Sequence, residues 1–304
     1  MMKADYIWMN GEMLPFQEAN VHFLSPTMHY GIGAFEGIRC YETTKGAAVF
    51  RLREHLQRLL DSILILGTSE FPYSIDNLCQ ATFETIQANG FKGCYIRPLI
   101  YFDGPLGLDL DTSVVKIGIA AWEWGTYLGD EALESGVHMM VSSFTRHHIN
   151  ASMTKAKISG NYVNSVLAKT LALRSGYDEA IMLDPNGYVS ECSGENLFVV
   201  NGQDIETPPR ATILEGITRN SLITIARDLG YNITENLISR DQLYIADELF
   251  VCGTAAEVTP IRAVDHRTIG LGKPGPITKT IQQAFFDTVN GNGKRSEEWL
   301  EYIQ

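Results

Sequence analysis

Leu56, Leu59, Leu60 and Ile63 recur at i, i+3, i+4 and i+7, an apolar stripe of helical period. It predicts a helix that starts near Arg53 and is stopped by Gly67. The same period in Val163, Val166, Leu167 and Thr170, closed by Gly176, predicts a second helix, and Leu222, Ile225, Ala226 and Leu229, closed by Gly230, a third. Residues 6–9 lead into Asn10-Gly11, the strongest short hairpin signal. Residues 94–102 are dense in aromatic and β-branched side chains, and a period of two sets Tyr95, Arg97, Leu99 and Tyr101 on one face. Residues 116–122, 137–144, 196–200 and 249–252 read as further strands. Residues 180–183 and 188–191 flank Asp184-Pro185-Asn186-Gly187, with proline and glycine where a hairpin turn wants them.

The pattern breaks at Trp124-Gly125-Thr126-Tyr127-Leu128-Gly129-Asp130. Two domains are therefore expected in an α+β or α/β architecture: a small N-terminal domain over 1–123, a linker over 124–135, and a larger C-terminal domain over 136–304. The many hairpins make the sheets largely antiparallel. A length of 304 residues suits two cores.

The formal net charge of −12, with no basic run, makes nucleic acid and anionic membranes poor partners. No apolar stretch approaches the ~18 residues of a membrane span. The five cysteines (Cys40, Cys79, Cys94, Cys192, Cys252) are widely spaced without a C-x-x-C pair, which fits a reducing compartment and implies no zinc cluster. With no apolar signal segment at the start, a cytoplasmic protein is expected. A literal G-x-G-x-x-G occurs at Gly270, Gly272 and Gly275, but Pro274 interrupts it and too few residues follow for a nucleotide-binding βαβ unit. Gly31-Ile32-Gly33 has the wrong glycine spacing. His147 and His148 point to opposite sides of a strand, and Asp109 and Asp111 read as turn residues. No metal site is expected.

Five stretches, taken together, carry more. Met28-His29-Tyr30-Gly31 runs on to Phe35-Glu36-Gly37-Ile38-Arg39. Ala156-Lys157-Ile158-Ser159-Gly160-Asn161-Tyr162 precedes a helix. Residues 188–198 include Ser190-Glu191-Cys192-Ser193-Gly194-Glu195-Asn196. Leu214-Glu215-Gly216-Ile217-Thr218-Arg219 opens a helix, and Gly253-Thr254-Ala255-Ala256-Glu257 ends a strand. In order and spacing these resemble the class IV (fold type IV) pyridoxal-phosphate enzymes, which share the fold of D-amino acid aminotransferase. Within that class the likeness is strongest to branched-chain amino acid aminotransferases, and it spans about Tyr6 to Phe286.

The resemblance implies pyridoxal 5'-phosphate as cofactor and a lysine that forms its Schiff base and shuttles a proton. Residue chemistry alone offers Lys155 and Lys157. The family's lysine stands three residues before Gly-Asn-Tyr, which implies Lys157. Glu191 matches the carboxylate that keeps the pyridine nitrogen protonated, and by period two it shares a strand face with Val189, which makes it partly buried. Tyr162 matches the partner of the phenolic oxygen. Gly216, just ahead of a helix, puts the N–H groups of Ile217 and Thr218 at the positive end of the dipole for the phosphate. By resemblance Arg58 and Thr254 reach the same phosphate, Gly194 and Gly253 border the cofactor, and Ala255 and Ala256 offer amides to the substrate α-carboxylate.

One site must take an apolar branched side chain and, alternately, the carboxylate of glutamate. Arg97, held by Tyr95, suits the carboxylate. Tyr30, Phe35, Trp124 and Tyr127 suit the apolar part, with Gly37 keeping space open and Leu108 a contact from a loop that in relatives reaches the neighbouring subunit. The expected reaction is transamination of leucine, isoleucine or valine with 2-oxoglutarate by a ping-pong route through pyridoxamine phosphate. The alternatives of the same fold are a D-amino acid or (R)-amine aminotransferase and an aminodeoxychorismate lyase. The expected partners are small amino acids and 2-oxo acids, plus a second copy of the chain in a homodimer or higher homo-oligomer.

Overall fold

The computed structural model describes residues 4–68, 70–125 and 127–303, so Thr126 of the expected linker lies outside the described residues. The chain forms two compact units. The first comprises residues 1–124, 156–161 and 288–304, and the second residues 125–155 and 162–287. Residues 156–161 and 288–304, expected in the C-terminal domain, thus cluster with the first unit. The second half of the expected linker is the helix Asp130–Ser135.

In the first unit the hairpin β1 (Tyr6–Met9) and β2 (Glu12–Pro15) is followed by α1 (Pro26–Tyr30), β3 (Ala34–Phe35), β4 (Ile38–Thr43) and β5 (Gly46–Phe50). Helices α2 (Leu52–Leu66) and α3 (Ile75–Ala88) precede the long strands β6 (Cys94–Asp103) and β7 (Val114–Trp122). Among the described residues these strands build an antiparallel sheet in the order C-terminal strand Leu300–Tyr302, β5, β4, β6, β7, β1, β2, with β3 beside β6. The C-terminal strand returns here because Leu300 pairs with Phe50 and the buried Trp299 meets the Phe50 ring edge-on. The predicted stripe of α2 is its buried face: Leu56 and Leu59 are fully covered, and Gly67 ends the helix at φ 110°.

The second unit contains β8 (Val137–Val141), α4 (Tyr162–Arg174), β9 (Glu179–Leu183), β10 (Val189–Cys192), β11 (Asn196–Asn201) and β12 (Asp204–Thr207). It continues with α5 (Ile217–Asp228), β13 (Asn232–Glu235), β14 (Glu248–Gly253), β15 (Glu257–Val264) and α6 (Pro276–Val289). Its sheet runs β10, β9, β8, β15, β14, β11, β12, β13. The parallel pairs β8–β9 and β12–β13 each enclose a helix, α4 and α5, since a parallel partner is reached only by a crossover.

The α4 expectation is corrected in its face. Val163, Val166 and Leu167 are exposed at 64%, 60% and 46%, whereas Ser165, Ala168 and Ala172 are buried. Small residues let the helix lie close on its sheet, where Ala168 and Ala172 pack with Ala180 and Met182. The glycine run at 270–275 leads into α6, and the helix N-terminus is occupied by the protein's own carboxylate. Glu248, 8% exposed, accepts from Ile277 N at 3.1 Å and Thr278 N at 2.7 Å. Among the described residues no helix is long and apolar enough to cross a membrane.

Glu248→Ala strips two buried N–H groups of their acceptor and is expected to destabilise the fold by about 2 kcal/mol. Urea unfolding should show this as a lower midpoint at unchanged slope.

Candidate active site

Each unit presents its own set of candidate side chains. In the first, Lys157 stands at the end of a short antiparallel ladder. Its carbonyl accepts from Phe35 N at 3.0 Å, Ser159 N donates to Gly33 O at 2.7 Å, and Gly160 N donates to Gly31 O at 2.8 Å. Gly31 and Gly160 meet backbone to backbone; a Cβ on Gly31 would lie 2.9 Å from Gly160 Cα. Lys157 N–H donates to Ser62 Oγ at 3.0 Å, and Ser62 gives its own proton to Arg58 O at 2.7 Å. The backbone of the lysine is thus pinned on both sides. Its amine lies 4.9 Å from the centre of the Phe35 ring.

The face expected of β6 carries a connected group. Arg97 Nη2 donates to Tyr95 Oη at 3.1 Å, and the guanidinium stands 4.6 Å from the Phe35 ring centre. Tyr95, 5% exposed, meets Trp124 edge-on at 4.6 Å. Gly37 also makes room for a neighbour. A Cβ there would come within 2.0 Å of Tyr95 Oη, so the missing side chain leaves room for the phenol. Tyr30 and Leu108 are exposed at 43% and 88%.

Arg58 is bound by partners that no motif announces. Its Nε donates to Glu36 Oε1 at 2.6 Å and its Nη2 to Glu36 Oε2 at 2.9 Å. His55 Nδ1 lies 2.7 Å from the same Oε2. Glu36 is fully buried and His55 is 1% exposed. Burial alone would raise the Glu36 carboxyl, but the charges and hydrogen bonds of Arg58 and His55 outweigh it and hold it well below its ordinary range. Burial pushes His55 down, against the pull of Glu36. Neither Glu36 nor His55 stood among the expected site residues. The signal available was the helical spacing of His55, Arg58 and Ser62, which puts all three on one side of α2.

In the second unit Glu191 is 6% exposed on β10, a strand buried along its whole length. Its Oε2 accepts from Leu214 N at 3.0 Å and from Asn196 Nδ2 at 3.4 Å, and Arg146 Nε makes a close charge contact with Oε1 at 2.5 Å. The loop entering α5 is tied from several sides. Ser190 Oγ donates to Thr212 O at 2.9 Å, Asn196 Nδ2 to Leu214 O at 3.2 Å, and Lys155 Nζ to Ile213 O at 3.2 Å and to Arg210 O. Lys155 is therefore a tether of this loop. Gly216 is the N-cap of α5, and a Cβ there would lie 2.1 Å from Asn196 Oδ1. Its lack of a side chain lets Asn196 bridge Glu191 and Leu214. Thr218 is 3% exposed in the first turn of that helix, beside Ile217.

Gly194 N–H donates to Glu195 Oε2 at 3.1 Å. Gly253 approaches Gly194, its notional Cβ 3.3 Å from Gly194 O. Gly253 pairs with Glu257 to close the hairpin whose turn is Thr254-Ala255-Ala256, and Ala256 O accepts from Thr259 Oγ1 at 2.7 Å. Glu257, buried, sits at φ 54°, a left-handed conformation that hairpins of this length usually give to glycine. Tyr162 opens α4, half-buried. Lys169 Nζ lies 5.3 Å from the Tyr127 ring centre and donates to Glu179 Oε2 at 2.5 Å.

An amine, a guanidinium with a helix N-terminus, and a buried carboxylate are the donor set that a pyridine aldehyde bearing a phosphate requires, so these residues fit that cofactor. The comparisons agree. Residues 33–264 match the family model described as amino-transferase class IV. The chain is 48% identical to the branched-chain-amino-acid aminotransferase of Pseudomonas aeruginosa, covering 98% of this chain and 97% of that one. It superposes with TM-score 0.97 on the Escherichia coli branched-chain amino acid aminotransferase at 47% identity, covering 99% of this chain and 100% of that one. The T.th. branched-chain amino acid aminotransferase, solved with pyridoxamine 5'-phosphate and with N-(5'-phosphopyridoxyl)-L-glutamate, superposes at TM-score 0.96 in both forms. Identity to them is 46% and 45%, with all of each chain covered.

Burial first, then the Glu179 charge, pushes the Glu195 carboxyl from its ordinary 4.5 up to about 8, against Lys169. A carboxyl whose pKa is higher folded than unfolded binds more proton in the folded state. Stability is therefore lost as pH climbs from about 4.5 to about 8. Glu195→Gln should remove that loss. Between pH 5 and pH 9 the variant is expected to gain more than about 1 kcal/mol on the wild type in urea unfolding; parallel curves would contradict the assignment.

Proposed function

The chain belongs to the class IV aminotransferases and, among them, to the branched-chain-amino-acid aminotransferases, and from that premise we propose that it transfers the amino group of leucine, isoleucine or valine to 2-oxoglutarate. The products are the branched-chain 2-oxo acid and L-glutamate. The observation that carries this reading is the identity of 48% with a branched-chain-amino-acid aminotransferase over nearly the full length of both chains. Pyridoxal 5'-phosphate supplies an aldehyde that takes up amino groups and a ring that accepts electrons while its nitrogen is protonated.

The roles of the side chains belong to the same proposal. Lys157 would hold the cofactor through Nζ, and the same amine would move a proton at the substrate Cα. The ladder that pins its backbone limits the amine to the swing of its own side chain. Glu191 keeps a proton on the ring nitrogen, with Arg146 and Asn196 fixing its carboxylate. Arg58, Thr254 and the first N–H groups of α5 at Ile217 and Thr218 hold the phosphate; Tyr162 meets the phenolic oxygen, and Gly194 and Gly253 border the ring. Ala255 and Ala256 receive the substrate α-carboxylate. Arg97 grips the distal carboxylate of glutamate, and its hydrogen bond to Tyr95 and the adjoining Phe35 ring place charge and apolar surface side by side. That juxtaposition suits two unlike substrates taken in turn. Tyr30, Trp124 and Tyr127 complete the apolar part.

We place the protein in the cytoplasm, in keeping with five buried free thiols. We also propose a homodimer or larger homo-oligomer, in which Leu108 reaches a neighbour's site. The exposed apolar side chains of α4, Val163, Val166, Leu167 and Leu173, support this. Light scattering on the purified protein should return at least twice the mass of one chain.

A yellow holoenzyme is expected to bleach with L-leucine and regain colour with 2-oxoglutarate. Lys157→Ala should abolish turnover, and borohydride should then leave no cofactor on the peptide carrying that position. Lys155→Ala should keep the colour change. Wild-type turnover in Lys157→Ala would overturn the mechanism.

A further inference from the structure

Glu36 has no role in the functional reading so far, yet it is a carboxylate buried completely in the first unit. Burying an ionised group costs several kcal/mol unless its partners are well placed. Here the partners are placed with unusual completeness. Both oxygens take the Nε/Nη2 edge of Arg58, at 2.6 and 2.9 Å, and Oε2 also faces His55 Nδ1 at 2.7 Å and Gly37 N at 3.2 Å. We propose that Glu36 is a positioning residue that orients the Arg58 guanidinium toward the cofactor phosphate. This rests on the reading of Arg58 as a phosphate ligand.

Three features of the geometry carry the inference. A guanidinium is a rigid planar fork, so two parallel bonds to one carboxylate fix its plane and with it the direction of its other N–H groups. The carboxylate cannot turn to follow a wandering arginine, because His55 from α2 and Gly37 N from the strand segment hold it independently. The same side of α2 also carries Ser62, which takes the Lys157 N–H. One helix face therefore sets both the phosphate-seeking cation and the backbone of the reactive lysine. Charge points the same way. With Glu36 ionised and burial disfavouring a charged His55, the Arg58–Glu36 pair is close to neutral. What Arg58 offers a phosphate is then direction more than net charge.

Glu36→Gln keeps the shape and replaces one acceptor oxygen by a donor amide that opposes Arg58. Equilibrium binding of pyridoxal 5'-phosphate and of unphosphorylated pyridoxal to the full-length protein, stripped of its own cofactor, provides the test. Glu36→Gln is expected to weaken pyridoxal phosphate about tenfold and pyridoxal less than about twofold, since only the former has the anion that Arg58 is aimed at. A general loosening of the fold would weaken both alike, and that result overturns the proposal, as does no change in either. Arg58→Ala separates the two levels. If it leaves the ratio of the two affinities unchanged, the phosphate reading of Arg58 fails; if it collapses the ratio while Glu36→Gln does not, the role of Glu36 fails. Should Glu36→Gln not fold, Glu36→Asp poses the same question. It keeps the charge but draws the fork back by one methylene, so the ratio should fall, and an unchanged ratio refutes the proposal.

Discussion

The ladder between residues 31–35 and 157–160 is the constraint on which the first unit's candidate side chains depend. Three backbone hydrogen bonds and the Ser62 hydroxyl fix where Lys157 leaves the chain. The partner strand β3 is itself registered on β6, Ala34 against Ile100 and Phe35 against Leu99. Strand β6 carries Tyr95 and Arg97. The amine proposed to engage the cofactor and the guanidinium proposed to grip a distal carboxylate are therefore referred to one sheet, with the Phe35 ring adjoining both. A site assembled on strands and helices holds its geometry better than one borne on loops. Only the close approach of Gly31 and Gly160 allows the two segments to pair at this separation.

An acidic chain has to manage its interior carboxylates one by one. Glu36 is matched to Arg58, Glu191 to Arg146 and Glu179 to Lys169, in each case at 2.6 Å or less. Such pairs gain little over a well-packed apolar core, and their worth lies in fixing orientation. Burial and the Glu179 charge push Glu195 toward neutrality, against the pull of Lys169. The same second-unit cluster extends through Lys169 to the Tyr127 ring.

The parts legible in the sequence were those that follow from local period or from a motif. The apolar rhythm of Leu56, Leu59, Leu60 and Ile63 marks α2 because that face meets the core directly. In α4 the period was readable but the face was not, since alanine and serine make the close contact and the valines are left outside. Glu36 was illegible because its partners lie 19 and 22 residues away. A glutamate next to glycine carries no mark of burial. The tasks of Gly37 and Gly216 were hidden in the same way: a sequence displays the missing side chain but not which atom, Tyr95 Oη or Asn196 Oδ1, moves into the space. The return of residues 300–302 to β5 is a long-range pairing that no local pattern announces.

All five cysteines are buried free thiols. Burial drives Cys79 up to about 11 and raises Cys192 and Cys252, while hydrogen bonding with Cys40 and burial raise Cys94. Alkylating reagents attack the thiolate, so these four sulfurs are shielded by access and by protonation, and Cys40 is shielded by access. A single cysteine grafted onto the outer surface would accordingly serve as a selective handle for a fluorophore or a spin label without first removing the natural ones. Labelling of the natural sulfurs would then report, residue by residue, the moments at which the interior opens.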